Sequence, residues 1–121
     1  MKNTPHLQAI RHGRPYESLD TVELCAIGTT TSVATVSQLN AGLIRRDISR
    51  QAPANEVFAG VSTSDLIPIF RRAARLFLEE SLPTSVEGHP QGPEEYVAAL
   101  SATTGLPYAL CRSNMLKIVE V

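Results

Sequence analysis

Tryptophan is absent from this 121-residue chain, and aromatic residues make up only 5% of it. Hydrophobic residues at 43% and charged ones at 19% nevertheless exclude a disordered tail and a coiled coil. Cysteine occurs twice, at Cys25 and Cys111, too few for a disulfide scaffold and unable to complete a zinc site alone. An excess of one charge is also lacking. Eleven Lys+Arg against twelve Asp+Glu leave a net charge of −1, which removes the long-range attraction on which nucleic-acid binders usually depend. No apolar run approaches the ~20 residues that span a bilayer. The opening Met1–His6 carries a single Lys with no apolar segment behind it, so neither a signal peptide nor a membrane partner is expected, and the expected setting is the cytoplasm. The length suits one domain or one piece of a larger one, and a compact domain of this size buries roughly two-thirds of its unfolded surface.

What is present divides into three stretches. Residues 1–20, punctuated by Pro5, Gly13 and Pro15, read as an irregular lead. Residues 21–39 read as a β-hairpin: Val22–Ile27 and Ser32–Ser37 are β-prone runs around the connection Gly28-Thr29-Thr30-Thr31. Alternation in the second run is weak, so other chain segments are expected to cover one hairpin face. Residues 40–121 read as helical. Asn40 is placed to cap a helix through Ile48, with Ile44 and Ile48 on one face and Arg45, Arg46 and Asp47 outside. Pro53 is expected to break it, and a short helical stretch with Val57 and Phe58 ends at Gly60.

The clearest helix spans Asp65 to Leu82, with Leu66, Ile69, Phe70, Ala73, Leu76 and Phe77 in the helical pattern. Asp65 as its cap would put Pro68 at the third helical position, where no backbone N–H is needed. Five Pro and Gly residues make 83–93 a loop. Pro93 and Glu94-Glu95 open a further helix that Gly105 closes, and Pro107 opens the last, with Leu110, Cys111, Met115, Ile118 and Val119 as its apolar side. The fold class expected is therefore α+β, one short hairpin followed by about four helices. The apolar end Ile118-Val119-Glu120-Val121 reads as a chain cut inside its pattern, so 1–121 is expected to be a single, incomplete domain.

No glycine-rich dinucleotide or phosphate-loop motif, His-x-x-x-His or serine-nucleophile motif is present. His6, His12 and His89 lie in loop-like stretches and read as surface residues rather than catalysts. Cys25 and Cys111 fall on or near apolar faces and read as inert buried thiols. Arg45, Arg46 and Arg50, with Asp47 beside them, read as a solvated face, as do Arg71, Arg72 and Arg75 with Glu79 and Glu80. Glu94-Glu95 reads as a helix-dipole pair. Spacing alone thus assigns no catalytic or metal residue. One alternative is a small interaction or regulatory module. Helix 93–103, the Gly105 turn and helix 107–121 form a helix-turn-helix order in which Arg112, Ser113, Asn114 and Lys117 would meet DNA, although the last helix is rich in apolar residues.

Several strings are similar to the N-terminal segment of the aldehyde dehydrogenase superfamily, in its acyl-CoA reductase-like branch. They are Ala26-Ile27-Gly28-Thr29, Ser32 through Asn40, Gly42 through Asp47, and Asp65 through Leu78. The most specific is Ser101-Ala102-Thr103-Thr104-Gly105-Leu106-Pro107 followed by Cys111-Arg112-Ser113-Asn114-Met115 and Lys117-Ile118. The resemblance spans roughly residues 12–121 and implies the N-terminal portion of an NAD(P)-dependent oxidoreductase. Its parent would act on aldehydes or acyl thioesters through a catalytic cysteine. In that family the nucleophile, the general-base Glu and the dinucleotide-binding sheet lie beyond the matched segment. Neither Cys25 nor Cys111 matches the nucleophile, so no catalytic residue carries over, and NAD(P) is implied for the parent rather than this segment. The implied partners are the remainder of the parent enzyme or identical subunits.

Overall fold

The structure, a computed structural model, describes residues 4–84 and 88–120. The first three residues of the expected lead, the centre of the expected 83–93 loop and the final residue of the expected last helix lie outside the described residues. The lead is not irregular: it holds three short strands, β1 (His6–Leu7), β2 (Ala9–Arg11) and β3 (Arg14–Tyr16). β2 and β3 pair antiparallel around His12-Gly13, whose φ angles of 50° and 75° are both positive. A two-residue hairpin loop with right-handed strand twist needs that left-handed pair, and Gly13 supplies it without a Cβ penalty.

The expected hairpin is present as β4 (Thr21–Cys25) and β5 (Ser32–Ser37), paired antiparallel from Thr21↔Ser37 to Cys25↔Ser32 with an irregularity at Leu24/Cys25. Ala26 N–H donates to Thr31 O at 2.9 Å and Gly28 sits at φ 70°, closing the turn. β1 adds to β5 in parallel, His6 opposite Thr35, giving the sheet order β1-β5-β4. That pairing joins residues 29 apart by number (35 minus 6) and has no local signature.

Among the described residues five helices follow. α1 (Ala41–Ser49) is capped by Asn40, whose Oδ1 accepts from Leu43 N–H at 2.9 Å. The break at Pro53 resolves as a restart, with α2 (Ala52–Ala59) carrying Pro53 in its first turn and Gly60 at its end. α3 (Thr63–Glu79) starts earlier and stops earlier than 65–82. Ser62, not Asp65, is the cap: its Oγ accepts from Asp65 N–H at 3.2 Å and donates to Asp65 Oδ2 at 2.5 Å. Pro68 therefore lies inside α3, where it withholds the N–H that Ser64 O would otherwise receive. The end of the expected helix is instead strand: β6 (Leu82–Pro83) pairs with β7 (Pro90–Gln91). α4 (Pro93–Thr104) and α5 (Tyr108–Val119) flank Gly105, which takes the left-handed closing position at φ 73°.

α3 and α5 pack together, and α4 packs against both helices and against β4 and β5 of the sheet. Val97, Cys111 and Met115 form the buried cluster, with Phe77, Leu78, Tyr96 and Leu100 packed around it. The Phe77 and Tyr96 rings meet edge-to-face at 5.0 Å. Covering of the hairpin by another segment, as expected, is the work of α4. Ile27 N–H donates to Ala102 O at 2.8 Å, and Ala34 is buried on that side. On the other face Ser37 is buried, its Oγ accepting from Ser18 N–H at 3.0 Å and meeting His6 Nε2 at 2.8 Å.

Little else is covered. The accessible surface is 9139 Å², whereas a compact monomer of 13.1 kDa would show about 6,400 Å² and its extended chain about 19,000 Å². The fold buries about half of its unfolded surface rather than two-thirds. No residue of α1, α2 or α3 is fully buried.

Candidate functional site

Asp47 does not lie on the outer face with Arg45 and Arg46. It turns toward the β2–β3 hairpin, where Arg11 grips it with two bonds, Nε to Oδ2 at 2.6 Å and Nη2 to Oδ1 at 2.7 Å. His12 Nε2 reaches Oδ1 at 3.3 Å, and the Arg11 guanidinium stacks 4.7 Å from the Tyr16 ring centre. The guanidinium lowers the Asp47 carboxyl to about 2, chiefly through that hydrogen bond, and the carboxylate in turn raises Arg11. This node ties the hairpin to α1. Around it, Arg45, Arg46 and Arg50 remain exposed as read.

In the first turn of α4, Glu94 and Glu95 act separately. Glu95 Oε2 accepts from the Gly92 N–H at 3.0 Å, capping α4. Glu94 accepts from the Tyr108 hydroxyl and pairs with Arg112 at 2.9 Å, and that hydrogen bond raises the Tyr108 phenol. The helix-turn-helix residues thus begin with an arginine held by a carboxylate, while Ser113, Asn114 and Lys117 lie exposed among the equally exposed Leu110, Leu116 and Ile118.

Cys111 is fully buried, its Sγ 3.8 Å from Leu106 O, and Cys25 is half-buried at the end of β4. His89 lies in the β6–β7 loop, and its carbonyl accepts from both the backbone N–H and the hydroxyl of Thr84 at 2.9 Å. His6, His12 and His89 are thus in three different places. Among the described residues no group of three or more His, Cys, Asp or Glu is placed to hold a metal ion, and no helix is long and apolar enough to cross a membrane.

Among the described residues three concave places stand out, one of them a hollow of about 410 Å³ along α3 beside Arg72, Arg75, Glu79 and Glu80. A cleft of about 230 Å³ separates the sheet from α4, between Leu24 and Ala34 on one side and Tyr96 and Leu100 on the other. A groove of about 600 Å³ lies between the N-terminal half of α3 and the end of α5, lined by Ile67, Phe70, Arg71, Ala74, Arg75 and Val119. Ile67 is 46% exposed and Phe70 61% exposed. The apolar stripe of α3 was legible in the sequence. Its division was not: Phe77 and Leu78 enter the core, while Ile67 and Phe70 do not. Arg71 and Arg75, read as part of a solvated face, line the groove one helical turn apart. Neither makes an ion pair or a side-chain hydrogen bond among the described residues.

Comparison of the chain with protein-family models, curated proteins and solved structures finds no match.

Proposed function

We propose that the chain is a non-catalytic assembly segment, the N-terminal portion of an NAD(P)-dependent oxidoreductase of the aldehyde dehydrogenase or acyl-CoA reductase-like kind. It contributes surface rather than chemistry, and the apolar faces of α1–α3 seat on a further folded body. The observation that carries the docking part is the surface: 9139 Å² where about 6,400 Å² would suffice. Phe58, Phe70 and Ile48 are all more than half exposed within that excess, apolar surface of the kind a docked body would cover. The oxidoreductase part rests on the resemblance of Ser101–Pro107 and Cys111–Ile118 described above.

Calorimetric titration of the purified chain with NAD is expected to give no saturable binding. Saturable binding would defeat the reading of a segment without cofactor chemistry. Sedimentation and a hydrophobic dye test the docking part: dye binding or self-association is expected, and a monodisperse monomer that binds no dye would defeat it. The helix-turn-helix alternative requires salt-dependent binding to duplex DNA. The Glu94–Arg112 pair weighs against it, because it places a carboxylate at the entry of the helix that would meet phosphate.

A further inference from the structure

The α3/α5 groove combines an apolar floor with two arginines that make no ion pair or side-chain hydrogen bond among the described residues. Ile67, Phe70 and Ala74 are spaced i, i+3 and i+7 along α3, and Val119 of α5 forms the opposite wall. The three share one face of α3, an apolar surface of the kind on which an amphipathic helix docks. Arg71 and Arg75, four residues apart, project along one side of it. An occupant that covered the floor with apolar side chains alone would desolvate two guanidinium groups, with only Glu79, one turn beyond Arg75, near enough to offset either. An occupant with two carboxylates four residues apart on one flank would meet both.

A second copy of this chain does not fit that requirement. No helix among the described residues carries two acidic residues three or four apart: α1 has Asp47, α2 has Glu56, α3 has Asp65 and then Glu79, and α4 has the adjacent Glu94-Glu95. Pairing α3 with its own copy about a two-fold axis near Phe70 would set Arg75 opposite Asp65 but leave each Arg71 beside its own counterpart, like charge on like.

We infer that the groove is a docking site for an amphipathic helix of another sequence, one with apolar residues at i, i+3 and i+7 and a pair of carboxylates one turn apart beside them. The inference rests on the docking reading above and specifies its partner.

The test uses the whole chain and two synthetic helical peptides of about 15 residues, long enough to hold helix in water. Both carry Leu at i, i+3 and i+7; one has a flanking Glu pair four apart, the other Lys at the same two positions. Fluorescence anisotropy is expected to show the Glu peptide binding at least about tenfold tighter than its Lys twin. The double substitution Arg71→Glu with Arg75→Glu is expected to reverse that preference, and Phe70→Ala to weaken both peptides. These positions are exposed, and circular dichroism checks that each variant keeps its helices. Equal binding of the two peptides, or binding of neither, overturns the inference. So does a dimer of the wild-type chain that Phe70→Ala dissociates, because the occupant would then be a second copy. A chain that binds dye or self-associates elsewhere while failing to discriminate the peptides loses this inference and leaves the docking reading intact.

Discussion

Stability in this fold should be concentrated where α3, α4 and α5 meet, and a pair of substitutions tests that directly. Val97 is 0% exposed at the centre of the cluster with Cys111 and Met115. Val97→Ala removes two methyl groups, about 1.6 kcal/mol of transfer free energy at ~0.8 kcal/mol per carbon. The void they leave adds roughly 1 kcal/mol wherever the neighbours do not collapse into it. The expected loss is about 2–3 kcal/mol, which lowers the urea midpoint by roughly 1–2 M at an unchanged slope. Phe58 is the larger side chain, but it is 63% exposed on α2. Phe58→Ala is therefore expected to stay within about 0.5 kcal/mol. If residue size governed the outcome, the order would reverse. A Val97→Ala loss below about 0.5 kcal/mol, or a Phe58→Ala loss that matches it, would refute the assignment of the core.

Two further outcomes are expected. Asp47 titrates at about 2 in the fold against 3.8 unperturbed, so between those values the unfolded chain binds more protons and stability falls as pH drops. Acid titration followed by tyrosine emission from Tyr16, which the Arg11 guanidinium covers, should show the hairpin held above about pH 5 and released toward pH 2. Asp47→Asn should abolish that step, and a step unchanged in the variant would remove Asp47 from its cause. At Gly105, φ is 73° and an added Cβ would lie 3.2 and 3.3 Å from Ile27 side-chain carbons. At Gly28, φ is 70° with open space around it. Both alanine variants carry the left-handed backbone cost of about 1–2 kcal/mol, and Gly105→Ala should be the more destabilising of the two by urea titration. Equal losses would mean that Ile27 moves aside.

The sequence alone determined what depends on neighbours a few residues apart. The Thr21–Cys25 and Ser32–Ser37 hairpin, the Asn40 cap, Pro93 and Gly105 at the two ends of α4, and the amphipathic stripe of α3 are short-range matters of backbone preference and periodicity. Buried Cys111 followed from its place on the apolar side of α5. The tertiary structure alone decided whatever joins residues distant along the chain. His6–Leu7 becomes a strand only because β5 offers it an edge. Asp47 leaves its helical neighbours for Arg11 and His12, 36 and 35 residues away, since a bidentate guanidinium partner outweighs a solvated one. Hydrophobic pattern tells which side chains of α3 could be covered, but covering needs a surface in reach. Cys111 and Met115 of α5 supply one beside Phe77, and among the described residues none covers Phe70. That difference, a matter of geometry rather than composition, makes one half of the helix core and the other half a groove.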